Sequence, residues 1–155
     1  MKFARLAALA TFLAVPALAG QGVGDKEVVI GSVSDLSGPF AAFGAPAVRA
    51  AQMHFTAVNA AGGVHGRKIR FVVEDSSYQM PKALQGYNKL VNRDKVFAML
   101  LSLGTPMNIA GYKLMTPKNI PNVFPLSSAR QILSEPIRLR FAGASFYYDE
   151  LRQAA

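Results

Sequence analysis

The chain predicts an α/β fold, with a mostly parallel sheet and helices on both faces. Three observations predict it. Strand-like apolar runs alternate with helix-periodic segments in the order strand, helix, strand, helix, strand, helix, strand, the pattern of successive right-handed crossovers. Residues 96–101, Val-Phe-Ala-Met-Leu-Leu, are continuously apolar, as a strand buried on both sides is. Gly and Pro fall between these segments and form no linker, and there is no internal repeat or low-complexity tract.

The first strand centres on Val28, Val29 and Ile30, followed by a turn at Ser37, Gly38 and Pro39. A long helix then runs through Met53, Phe55 and Val58 to Asn59. A Gly-rich break precedes a second strand at residues 69–75, which completes one βαβ unit. A second helix begins near Pro81, suited to the first helical position, and continues to Arg93. Ala83, Leu84, Tyr87, Leu90 and Val91 recur at helical spacing as its buried face. Residues 96–101 are the third strand. Thr105 as N-cap and Pro106 at the first helical position open a third helix, with Ile109, Tyr112 and either Leu114 or Met115 on its apolar face. Asn119, Ile120 and Pro121 end that helix. Residues 122–124 and 139–141 read as a fourth and a fifth strand, and a further helix starts at Phe146.

Residues 1–19 stand apart from this pattern. Lys2 and Arg5 form a charged start, residues 6–15 are apolar, and Ala17, Leu18 and Ala19 form a small-x-small site. That is the layout of a secretory signal peptide cleaved between Ala19 and Gly20. Its apolar run is too short for the roughly 30 Å of a bilayer interior. The sequence therefore predicts export, to the periplasm in a double-membraned cell. The chain has no Cys, which excludes disulfides, thiolate chemistry and a lipid anchor through an N-terminal Cys. His54 and His65 are too few for a metal site. The formal charge of +8 falls to +6 once Lys2 and Arg5 leave with the leader. The remaining basic residues are dispersed and not interleaved with aromatics, so the sequence predicts a solvated basic face and no nucleic-acid partner.

In open α/β sheets, ligands bind beyond the carboxyl ends of the strands. Three loops meet that condition. Residues 34–44 carry Phe40 and Phe43 as apolar walls. Residues 102–105 bring Thr105 to a helix N-terminus, where unpaired N–H groups favour a carboxylate. Residues 126–128 supply Leu126 with two hydroxyls, Ser127 and Ser128. No catalytic constellation accompanies them: Asp35, Glu74, Asp75 and Asp94 have no His at a suggestive spacing. There is no G-x-S-x-G, P-loop or dinucleotide fingerprint either. The sequence predicts no enzyme and implies no cofactor.

The order of these elements, with the segment Gly-Gly-Val-His-Gly-Arg-Lys-Ile at residues 62–69, resembles the first lobe of type I periplasmic binding proteins. The resemblance is to the Leu/Ile/Val (branched-chain amino acid) binding family that feeds ABC importers, and it covers roughly residues 27–155. It implies a small-molecule ligand, an amino acid or related small carboxylate, and an ABC permease in the inner membrane as partner. It further implies that Phe43 packs on the ligand side chain and that Thr105 grips its head group. Leu126 would add a backbone group and Ser128 a hydroxyl, with Ser127 beside them. Phe43 lacks a tyrosine hydroxyl, and Gly104-Thr105-Pro106 is poorer in hydroxyls than the Ser run of amino-acid binders. That points toward other carboxylates, aromatic acids included. Family members are two-lobed clamshells, so residues 20–155 correspond to an incomplete first lobe with the second lobe absent. The alternatives are a ligand-sensing receptor module of the same fold, or a truncated fragment that binds nothing.

Overall fold

The computed structural model describes residues 20–133 and 137–154; residues 1–19, read above as an expected signal peptide, lie outside them. One five-stranded sheet runs in the order β2-β1-β3-β4-β5. Its strands are β1 (Glu27–Ser34), β2 (Lys68–Asp75), β3 (Ala98–Leu100), β4 (Asn122–Val123) and β5 (Arg140–Phe141). Every pairing is parallel, in the registers Val33 with Glu74, Ile30 with Ala98, Met99 with Asn122 and Val123 with Phe141. The order turns back at β1, so a crevice is expected between the ends of β1 and β3.

Helix α1 (Ala41–Ala60) covers β1 and β2 on one face, and Phe55 meets Phe71 nearly edge-on with ring centroids 5.3 Å apart. Helices α2 (Met80–Asn88) and α3 (Thr105–Met115) cover the other face. The main core lies there and includes Val29, Val33, Tyr87, Leu90, Met99 and Met115. Two glycines set its close approaches. A Cβ on Gly31 would meet Met99 Sδ at 2.8 Å, and one on Gly111 would meet the Tyr87 ring at 2.7 Å.

Several elements depart from the sequence expectation. Only Ala98–Leu100 of the third strand pairs, and Phe97 is exposed, so the run is not buried along its length. The second helix is α-helical only to Asn88 and continues as a π turn over Lys89–Arg93, with Asp94 N–H bonded to Lys89 O. That wider turn leaves both Leu90 and Val91 in the core, while Leu84 is exposed. In α3, Ile109 points outward, and the buried face is Met107, Asn108, Gly111, Tyr112 and Met115. The phase is set by Tyr87, whose ring occupies the space left by Gly111. Helix α4 (Tyr147–Ala154) has no buried residue. It is tied down by Tyr147 N–H to Ser128 O and by a 2.6 Å Arg130–Asp149 ion pair, with the Arg130 guanidinium 4.0 Å from the Tyr148 ring centre.

Candidate functional site

A cleft of about 720 Å³ opens at the carboxyl ends of the strands, and segments following all five strands line it. Phe40 and Phe43 follow β1 and Tyr78 follows β2. Residues 101–105 follow β3, residues 124–128 follow β4, and Gly143, Ala144 and Tyr147 follow β5.

Two carboxylates shape the first side of this cleft. Asp35 is fully buried at the end of β1 and accepts the N–H groups of Gly38 at 2.6 Å and Phe40 at 2.8 Å. Asp75, at the end of β2, accepts the Leu36 N–H at 2.9 Å, the Ser37 hydroxyl at 2.5 Å and the Ser77 N–H at 2.9 Å. Asp75 is exposed, and the modest loss of water around its carboxyl works against ionisation. The bond from the Ser37 hydroxyl, with those from Leu36 and Ser77, outweighs it and holds this carboxyl at about 2. The two loops also touch directly, since a Cβ on Gly38 would lie 2.6 Å from Ser77 O. Phe40 and Tyr78 are thereby brought into contact, with ring planes tilted 47° to one another and centroids 4.3 Å apart.

The opposite side is built on Asn108, fully buried in the first turns of α3. Its amide donates to Ser102 O at 3.0 Å and Gly104 O at 2.8 Å. Its Oδ1 accepts from the Tyr87 hydroxyl at 3.3 Å and from the Asn122 amide at 2.9 Å. Burial pushes the Tyr87 hydroxyl far above its ordinary value, so it stays a neutral donor. Leu126 N–H bonds Ser102 O at 2.9 Å, and Gly104 N–H bonds Leu126 O at 3.3 Å, which locks the loops after β3 and β4 together.

This network changes the local role of Thr105. Gly104, at φ 99°, is the N-cap, and Thr105 is the first helical residue with Pro106 next. The expected capping bond is absent because the hydroxyl turns instead to Ser127 Oγ, 2.6 Å away. In such a pair one hydroxyl donates to the other, so one proton is left to point outward. Among the described residues, the N–H groups of Thr105 and Ser128 have no protein acceptor. The Ser128 carbonyl is taken by Tyr147 N–H. Leu126 also lines the cleft, with its N–H given to Ser102 O and its carbonyl accepting from Gly104 N–H.

Phe43, Thr105, Leu126, Ser127 and Ser128 thus lie around one cavity, and Phe43 is 70% exposed to it and to solvent. Sequence reasoning missed Tyr78, Leu101, Phe124 and the 143–147 segment. The carboxyl-end rule applied to β2 and β5 would have found Tyr78 and Tyr147. Phe124 reads as a strand residue, yet its backbone leaves the strand at φ 48°. Among the described residues, none that lines the cleft is charged. The cavity therefore combines apolar walls with neutral hydrogen-bond donors at a helix N-terminus, an arrangement that suits an anion with an apolar body.

A family described as periplasmic binding protein matches residues 27–137. The chain belongs to that family. Its members are substrate-binding proteins and not enzymes, and they work outside the cytoplasm. An amino acid binding protein of Pseudomonas aeruginosa is 30% identical over 106 residues, which is 68% of this chain and 28% of that protein. A fatty acid ABC transporter substrate-binding protein from Thermomonospora curvata is 35% identical with a TM-score of 0.64, over 70% of this chain and 27% of that one. A branched-chain amino acid transporter substrate-binding protein of Streptococcus pneumoniae, solved with isoleucine, is 26% identical with a TM-score of 0.71. That match covers 78% of this chain and 34% of the other. This periplasmic binding protein chain therefore spans roughly a third or less of the length of these three relatives. The α/β class, the parallel sheet and the family resemblance read from sequence agree with these findings.

Proposed function

We propose that this chain is the ligand-capturing first lobe of an exported solute-binding protein that delivers an amino acid or related small carboxylate to an ABC permease. The observation that carries the proposal is the convergence of unpaired donors on one apolar cleft: the N–H groups of Thr105 and Ser128 beside the Thr105–Ser127 hydroxyl pair. A carboxylate fits these donors, and Phe43 faces its side chain from the first turn of α1. Capture between this lobe and a second one, followed by hinge closure, is the mechanism such a half-site supports. The names of the relatives add support, since they bind amino acids or fatty acids, which share a carboxylate. Export through the leader, with cleavage before Gly20, belongs to the same proposal. Mass spectrometry of the exported protein checks it by a mature mass that begins at Gly20.

The test of ligand capture is thermal unfolding of the chain with and without a panel of aliphatic amino acids, aromatic acids and fatty acids. A compound that binds only the folded state raises the midpoint by mass action. A rise with one carboxylate class and none with the matching amines is expected. A cooperative transition that no carboxylate moves sinks the proposal.

A further inference from the structure

Seven non-glycine residues among those described have a positive φ, and the three hydrophobic ones are Tyr78 (54°), Leu101 (55°) and Phe124 (48°). They follow β2, β3 and β4, and all three line the cleft. A chain that needed only a tight turn at these points would carry Gly or Asn there, because a bulky side chain crowds the backbone in the left-handed region. Tyr78 illustrates this. Ser77 and Tyr78 both have positive φ, and Gln79 N–H closes the turn onto Ser76 O at 2.8 Å. That is the φ pattern of a type I′ turn, usually filled by Asn-Gly. Glycines open room for two of the rings. A Cβ on Gly104 would meet the Tyr78 ring at 3.0 Å, and one on Gly143 would meet the Phe124 ring at 3.0 Å. Phe124 is about half exposed, so burial in the folded chain does not explain its presence at a strained position. Tyr78 also packs against the main core, but at Phe124 packing does not account for the strain, and outliers of this kind cluster at functional sites.

We infer that Tyr78, Leu101 and Phe124 are the specificity-determining wall of the cleft, and that the ligand body they select is an aromatic ring joined to a carboxylate. This rests on the reading of the cleft as a carboxylate site. Tyr78 and Phe124, with Phe40 against Tyr78, supply flat apolar surfaces, and Leu101 lies between them in strand order. Ring faces and edges of this kind favour a ring over a polar chain. The bent backbones fix where the side chains stand before the ligand arrives, which lowers the ordering cost of binding.

The test is an NMR titration of the full chain with phenylacetate and with acetate, which share the carboxylate and differ in the ring. Phe124→Asn and Tyr78→Asn are titrated alongside, since Asn accepts a positive φ and keeps the turn. The unaltered chain is expected to prefer phenylacetate, and each variant to lose that preference about tenfold while its acetate affinity holds. A phenylacetate-to-acetate ratio that stays unchanged in both variants overturns the wall and leaves the carboxylate site standing. If the unaltered chain binds neither compound, the site itself fails and the wall fails with it.

Discussion

The hydroxyl of Thr105 lies 2.6 Å from that of Ser127, although the two residues are 22 positions apart and belong to different loops. The bond exists because Gly104, and not Thr105, caps α3. Replacing Thr105 with Val keeps the shape, leaves the cap untouched and removes the hydroxyl. We expect Thr105→Val to change the unfolding midpoint little. Affinity for a carboxylate ligand should fall ten- to a hundredfold, in line with about 1.5–3 kcal/mol for a hydrogen bond to a charged group. Calorimetric titration checks the affinity, and an unchanged value removes Thr105 from the site.

Asn108 places the two loops that carry Thr105 and Ser127, yet it does not line the cleft. Asn108→Ala strips the amide from Ser102 O and the acceptor from both Tyr87 and Asn122. Buried polar groups left without partners are costly. The expected loss is about 2–4 kcal/mol of unfolding free energy, read from urea denaturation. A loss below about 0.5 kcal/mol, the range of an ordinary surface change, shows that the network holds nothing.

Gly111 sits in the middle of α3, where Ala is favoured by about 1 kcal/mol on helix propensity alone. A Cβ there would stand 2.7 Å from the fully buried Tyr87 ring. That ring is pinned by its hydroxyl bond to Asn108 and cannot swing away cheaply. Overpacking typically costs about 1–3 kcal/mol, so Gly111→Ala is expected to destabilise on balance. The midpoint of thermal unfolding decides the sign, and a rise means the ring relaxes freely.

The fold was legible because its signals are local. Alternating apolar runs, the Gly-rich break before Lys68 and Pro81 near the start of α2 agree with the observed elements. The site was half legible for a geometric reason, since any residue just past a parallel strand lies near the cleft. Thr105, Ser127 and Ser128 were found that way. Tyr78 was missed because the carboxyl-end rule was not carried to β2, and Phe124 because its placement depends on a positive φ that hydrophobic periodicity does not encode. Asn108 was missed because a polar residue on a helix reads as exposed, and only the tertiary network shows it buried. Ile109 was placed inward for the same reason: the vacancy at Gly111, filled by Tyr87, sets the phase of α3 more strongly than its apolar count.

Asp75 gives the fold a definite acid response. Its carboxyl is held at about 2, against 3.8 for an ordinary aspartate, because the Ser37, Leu36 and Ser77 donors outweigh the modest desolvation that opposes them. In the unfolded chain the same group takes its proton near 3.8. The unfolded state therefore binds more protons between those values, and stability falls as the pH falls. The contribution is fully present above 3.8 and is gone once the pH drops through about 2. Asp75→Asn removes the titration and part of the clamp on residues 36–37. We expect the variant to be less stable than the parent at pH 5–7, with a shallower decline of the unfolding midpoint between about pH 4 and pH 2. Parallel pH curves for the two proteins overturn the role assigned to Asp75. The cleft offers a second readout of the same substitution: the clamped loop carries Phe40 and leads into Phe43. Carboxylate affinity should therefore weaken at neutral pH even though Asp75 touches no part of the cavity.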